Sequence, residues 1–175
     1  MSRGKEVGYN VKWNTHKVFV GDICYALDRK IYRDVWVSDM GCEEGLVGNY
    51  AIVADTEYGD GCYDGKETAY CVDAGVIGVT DIEHYLDSRH SIEDLKELGS
   101  VVEIPSGKCE ICFDADVDGT FYITINDLGT NKMVFNDVIY TGDDDNDDWD
   151  NEDDYDDDFD PWADDDEDED EEAED

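Results

Sequence analysis

Basic residues are scarce in this chain. Twelve Lys and Arg stand against 50 Asp and Glu in 175 residues, for a formal charge of −38. Duplex binding depends on basic side chains that displace phosphate counterions, so direct binding to duplex DNA is not expected. Long apolar runs are lacking too. None approaches the ~20 residues that span a bilayer, which excludes a membrane helix. The opening MSRGKEVGYNVKWN has no apolar signal segment, so a cytoplasmic protein is expected. With no export signal, reduced thiols are the default for Cys24, Cys42, Cys62, Cys71, Cys109 and Cys112. No βαβ repeat of adequate length is visible, which argues against a doubly wound sheet.

What is present is acid, unevenly placed. Residues 141–175 hold 24 of the 50 acidic residues and no Lys or Arg. The charge divides into about −14 for residues 1–140 and about −24 for the tail. A run of this kind repels itself and has too little apolar surface to offset chain entropy, so a disordered polyacidic tail is expected after a compact domain spanning 1–140. The tail is not acid alone. Trp149, Tyr155, Phe159 and Trp162 interrupt it, and a purely solubilising segment has no use for large aromatics. Rings amid carboxylates read as anchors. Asp150, Asp153, Asp154, Asp156, Asp157 and Asp158 would steer the segment to a basic groove, and the rings would fill pockets or stack there. Single-stranded nucleic acid offers its binding proteins the same pairing of negative charge and flat rings. The last stretch, DDDEDEDEEAED, contributes charge only.

The body reads as mainly β. Strands are expected at 17–20, 23–27, 34–37, 49–56, 69–73, 76–79, 100–104, 109–113, 120–125 and 133–140. The Asp60-Gly61 and Asp64-Gly65 pairs are hairpin signals. Two short helices are expected. One is TDIEHYLD at 80–87, with Thr80 as cap and Glu83 three residues on. The other is SIEDLKEL at 91–98, with Ser91 as cap and Gly99 as stop. A mostly antiparallel barrel or sandwich with one or two short helices fits these elements.

Few stretches carry chemistry. DADVDG at 114–119 places Asp114, Asp116, Asp118 and Gly119 as a calcium loop would, but Ile125 stands where the bidentate Glu belongs. The three aspartates are weak cation candidates, and an acidic hairpin turn is the preferred reading. Cys109-x-x-Cys112 lacks the second pair that a zinc site needs. It also lies in an expected strand, where its thiols face opposite sides. Ser106-Gly107-Lys108 follows a proline and lacks the glycine-rich lead of a phosphate loop. No catalytic residue and no cofactor is assigned.

Val20-Gly21-Asp22-Ile23-Cys24-Tyr25 and Tyr70-Cys71-Val72-Asp73-Ala74-Gly75-Val76-Ile77-Gly78-Val79 resemble stretches of small bacterial and phage proteins of unassigned function. The resemblance covers residues 17–80 and carries no catalytic role. In overall character the chain is similar to acidic DNA-mimic proteins with which phages oppose restriction and other defences. That likeness implies a non-enzymatic inhibitor of a basic nucleic-acid-binding protein, acting in the host cytoplasm. Two alternatives remain open at this point. One is a chaperone or accessory factor for such a protein. The other is a small metal-binding module or enzyme whose acidic tail regulates it. The sequence leaves oligomeric state open.

Overall fold

The computed structural model describes residues 7–37 and 45–142. In chain order the strands are β1 (Val7–Asn14), β2 (Lys17–Gly21), β3 (Leu46–Val47), β4 (Ala51–Asp55), β5 (Gly61–Asp64), β6 (Ala69–Val72), β7 (Val76–Asp81), β8 (Ser100–Glu103), β9 (Lys108–Ala115), β10 (Thr120–Asp127) and β11 (Lys132–Tyr140). The helical pieces are α1 (Ile23–Ala26), α2 (Arg29–Ile31), a π-helical segment Tyr32–Val37 and α3 (Ile92–Lys96). Within the described residues no helix is long and apolar enough to cross a membrane.

Strict alternation builds the first sheet, ordered β1-β9-β10-β11 and antiparallel throughout. Cys109, Ile111, Phe113 and Ala115 of β9 and Phe121, Ile123 and Ile125 of β10 are all buried. The residues between them face out. Asp114, Tyr122 and Val138 stand abreast on that open face, as do Cys112, Thr124 and Asn136.

The second sheet, ordered β3-β4-β7-β2-β8, is covered on both sides. Every residue of β7 is buried. Val18, Val20, Ile52, Ala54, Ile77, Val79 and Val102 pack against the first sheet. On the far side Phe19 meets Ala26, Ile82 and Leu95, and Ala51, Val53 and Val76 meet Ile23, Leu27 and Val47. The result is a two-sheet antiparallel sandwich with a helical layer over one sheet. The β5-β6 hairpin forms a third, two-stranded sheet, joined to β11 by a single bridge from Gly65 to Ile139.

The expected β-rich class holds, and several elements differ from expectation. Of residues 23–27, expected as a strand, Ile23–Ala26 form α1, and Leu27 is extended and bridges to Leu86. Asp22 is the reason: its Oδ1 accepts the Cys24 N–H at 2.9 Å and starts a helical turn. Residues 34–37, also expected as a strand, fall in the π-helical segment. That segment continues from α2, whose first turn Asp28 caps through the Lys30 and Ile31 N–H groups. A short apolar run does not choose between strand and helix by itself. The helix expected at 80–87 is absent. Thr80 lies inside β7, and Asp81 takes the capping part with the Glu83 and His84 N–H groups, closing a turn that does not propagate. At 91–98 the expectation is met, with a reciprocal capping box between Ser91 and Asp94. Strands β1 and β3 went unassigned in the sequence, and β5 lies within a stretch read there as turn.

Gly78 shows how closely the second sheet is built. It pairs with Val53 on one side and Gly21 on the other, and a Cβ there would sit 1.8 Å from the Ile52 carbonyl oxygen. Backbone cannot swing aside as a side chain can. Gly78→Ala is therefore expected to lower unfolding free energy by about 1–3 kcal/mol, the range of overpacking. Urea unfolding of the full chain measures it, and a loss below about 0.5 kcal/mol would mean that the strands part readily.

Candidate partner-binding surface

Trp149, Asp150, Asp153, Asp154, Tyr155, Asp156, Asp157, Asp158, Phe159 and Trp162 lie outside the described residues. The body shows where that segment begins. The chain leaves β11 and closes over the β9-β10 turn. The Thr141 N–H and Oγ1–H both donate to the Gly119 carbonyl, at 2.8 and 2.9 Å. Thr141 and Gly142 are both buried there.

The turn itself is the acidic hairpin that DADVDG suggested. Gly119 donates its N–H to the Asp116 carbonyl, and Asp118 Oδ1 accepts the Thr120 N–H at 3.1 Å. Gly119 has φ +84°, and a Cβ on it would lie 2.3 Å from Gly142 Cα and 2.9 Å from Glu57 Cγ. Only glycine meets both demands. The contact has a consequence for charge. Glu57 brings the acidic segment 55–64 against the acidic turn 114–118, and both adjoin the root of the tail. Asp55, Asp60, Asp64, Asp114 and Asp118 are exposed, and Glu57 and Asp116 are half-buried. As for a cation, no group of three His, Cys, Asp or Glu side chains among the described residues is arranged to hold a metal ion. Asp114 projects from a strand while Asp118 is engaged by its own turn.

Five carboxylates of the body do different work. Asp22, Asp81, Asp87, Asp127 and Asp137 are at most 5% exposed. Each accepts at least one backbone N–H from a neighbouring turn or loop. Asp137 takes the Lys66 and Glu67 N–H groups and the Tyr70 hydroxyl, tying the β5-β6 turn to β11. Burial, reinforced by Asp137, pushes the Tyr70 hydroxyl far above the ordinary tyrosine value. Asp127 takes the N–H of Ser106 at 2.7 Å and of Thr130 at 2.8 Å, joining the β8-β9 and β10-β11 turns. At Asp87 burial works against ionisation, but the Arg89 guanidinium and N–H outweigh it and hold the carboxyl below its ordinary value. These five carboxylates are committed to the fold and are not available to a partner.

Asp22 joins the two stretches on which the resemblance rests. Its Oδ2 accepts the Asp73 and Ala74 N–H groups, each at 2.7 Å, while Oδ1 caps α1. The Gly21–Tyr25 and Val72–Gly75 stretches thus form one structural clasp.

The cysteines separate in the same way. Cys109 points into the core and Cys112 to the open face, as expected for a CxxC in a strand. Burial pushes the Cys109 thiol up to about 11. Burial, with the Asp22 and Asp73 carboxylates, drives the Cys24 thiol well above its ordinary value, so it stays protonated at neutral pH. Cys62 and Cys71 are brought side by side, a pairing that sequence reading left unassigned. The signal was there: the two are symmetric about the turn that follows Asp64-Gly65.

The class defined by these features is a β-sandwich that presents an acidic turn at the root of an acidic tail. No protein-family model matches the chain, and no curated protein or solved structure matches it.

The Asp127 clasp predicts an acid dependence. Hydrogen bonds from Ser106 and Thr130 lower its pKa from an ordinary 3.8 to about 2. A carboxyl whose folded pKa is depressed contributes fully above its unfolded pKa and loses that contribution as pH falls through the folded one. In Asp127→Asn the urea midpoint at neutral pH should fall, and the decline between pH 4 and pH 2 should be shallower than in the parent. An unchanged acid slope would place the acid sensitivity elsewhere.

Proposed function

We propose that this chain is a non-enzymatic acidic binding protein that inhibits a basic, nucleic-acid-binding protein of the defence or restriction type. It occupies the basic surface in place of nucleic acid. The observation that carries the reading is the continuity of negative charge. The acidic segment 55–64 and the acidic turn 114–118 meet where the chain passes into a segment of 24 acids and four large aromatics. Rigid carboxylates on the body set position, and the tail supplies most of the charge and the rings. Long-range attraction speeds encounter, and the aromatics slow release. The clasp that Asp22 makes between the two resembling stretches supports a structural part for them, in keeping with a protein whose action lies at its surface. Inhibition on this reading is stoichiometric, takes place in the host cytoplasm and weakens with salt.

The test begins with the full chain and residues 1–142 passed in parallel over bacterial lysate at low and moderate salt. Ending after Gly142 keeps the Thr141 clasp intact. A nucleic-acid-binding protein retained only by the full chain, and displaced from it by DNA, supports mimicry. A partner that binds DNA and this chain together points to a chaperone or accessory factor, and a partner held equally by residues 1–142 moves recognition into the body.

Replacing Trp149, Tyr155, Phe159 and Trp162 together by Ala leaves the charge intact. Affinity for the retained protein should fall about tenfold or more, as for interface aromatics generally, with the salt dependence unchanged. Equal affinity would remove the anchor role and leave charge alone.

A further inference from the structure

Cys62 and Cys71 are directly opposite across the β5-β6 hairpin, with their sulfurs 3.3 Å apart. The position within the ladder matters. Antiparallel pairs alternate between hydrogen-bonded sites and non-hydrogen-bonded sites, and side chains stand closer at the latter. The Gly65 N–H donates to the Thr68 carbonyl at 2.8 Å, so the turn opens on a hydrogen-bonded site. Stepping down the register makes Tyr63–Tyr70 hydrogen-bonded and Cys62–Cys71 not. The Cys71 N–H agrees, since it donates outward to the Leu98 carbonyl at 3.0 Å and not to β5. At such sites the Cα atoms are about 4.5 Å apart, within the span that a disulfide bridges. The sulfurs need to approach by only roughly an ångström more.

We propose that Cys62 and Cys71 form a reversible dithiol–disulfide site that exchanges with low-molecular-weight disulfides such as oxidised glutathione. Cys62 is exposed and Cys71 half-buried, so attack from outside falls on Cys62. Its thiolate displaces one glutathione from the oxidised dimer and forms a mixed disulfide. The Cys71 sulfur then attacks Cys62 Sγ and releases the second glutathione. Two protein thiols are oxidised, one glutathione disulfide is reduced to two thiols, and the two thiol protons end on the released glutathiones. The contact with Cys62, with some burial, raises the Cys71 pKa, which disfavours Cys71 as the first nucleophile; in the second step its target is already beside it. The remaining thiols are placed differently. Cys24 is held protonated beside Asp22, and Cys109 is sealed in the core.

Tyr63, Tyr70 and Val72 already seat this hairpin in the core, and the bond would add a covalent tie between its two strands. A two-stranded hairpin is marginal alone. This one is tied to the body through the Asp137–Tyr70 clasp at its turn, the Gly65–Ile139 bridge and the Cys71–Leu98 bond. Oxidation would hold β5 to β6 at the end away from the turn.

The reduced full chain should be equilibrated anaerobically with glutathione buffers of rising oxidised fraction, its free thiols alkylated, and its peptides mapped. The expected product joins Cys62 to Cys71, reverts on adding reduced glutathione, and leaves Cys24, Cys42, Cys109 and Cys112 alkylated. Thiols at 62 and 71 that stay alkylated in every buffer, a glutathione adduct that persists on Cys62, or a bond made to Cys42 would each overturn the proposal. In Cys71→Ser the adduct on Cys62 should instead accumulate, and its absence would equally overturn it. Amide hydrogen exchange across Gly61–Asp64 and Ala69–Val72 should slow by about tenfold on oxidation, and unchanged exchange would remove the effect on the hairpin.

Discussion

The backbone N–H groups of the loops must find acceptors, and in this protein buried aspartates supply them. A sandwich of short strands has many connections. Each connection lying over a sheet brings donors out of reach of water, and an unsatisfied buried donor costs about 1–3 kcal/mol. Asp22 receives three such donors, from Cys24, Asp73 and Ala74. Asp127 and Asp137 serve the turns at opposite ends of the first sheet and its hairpin. Remove these carboxylates and the strands retain their ladders, but the turns that set strand order lose their fixed positions. A carboxylate is suited to the task because its two oxygens accept several N–H bonds while its charge strengthens each.

This arrangement bears on how so acidic a chain folds at all. Like charges oppose compaction. Part of the body's acid is internal and matched to fixed N–H dipoles, which stabilise the charge instead of repelling it. Seven of the 21 that remain are gathered on the segments 55–64 and 114–118. Nearly half of all the acid lies beyond Gly142, the last of the described residues and a buried one. The proposed recognition of a basic surface rests on the same distribution. Charge near the tail root, on the 55–64 and 114–118 segments, is held by the sandwich.

How much of this was legible in the sequence depends on the distance between the residues involved. Strands β9 and β10 declare themselves by alternation alone, and α3 by Ser91 and Asp94, three residues apart. The DADVDG stretch was legible as a turn because Ile125 closes off the calcium reading. Residues 23–27 were misread because α1 depends on Asp22, and Asp22 is held by Asp73 and Ala74, some fifty positions away. The helix expected at 80–87 failed for a related reason. Thr80 has the chemistry of a cap, but β4 and β2 pair with the strand that contains it, and sheet pairing overrides a local preference. β1 was missed although Tyr9, Val11 and Trp13 alternate with polar residues, because glycine and lysine on its outward face weaken the strand signature. The meeting of Glu57 with Gly119 is a tertiary fact for which sequence offers no spacing rule.

The separation of roles among identical side chains is the most general consequence. Asp appears in this chain as helix cap, loop clasp, exposed turn residue and tail charge, and composition cannot tell these apart. Counting acids makes the whole surface look like a polyanion. Burial removes Asp22, Asp81, Asp87, Asp127 and Asp137 from that surface and leaves the body's negative charge concentrated in fewer places. A partner attracted over long distances responds to the net charge, whereas one bound at short range meets only the exposed carboxylates and whatever rings accompany them. The distinction explains why the aromatics matter to the functional reading. Charge alone attracts any basic protein, and discrimination among basic proteins requires groups whose fit depends on shape.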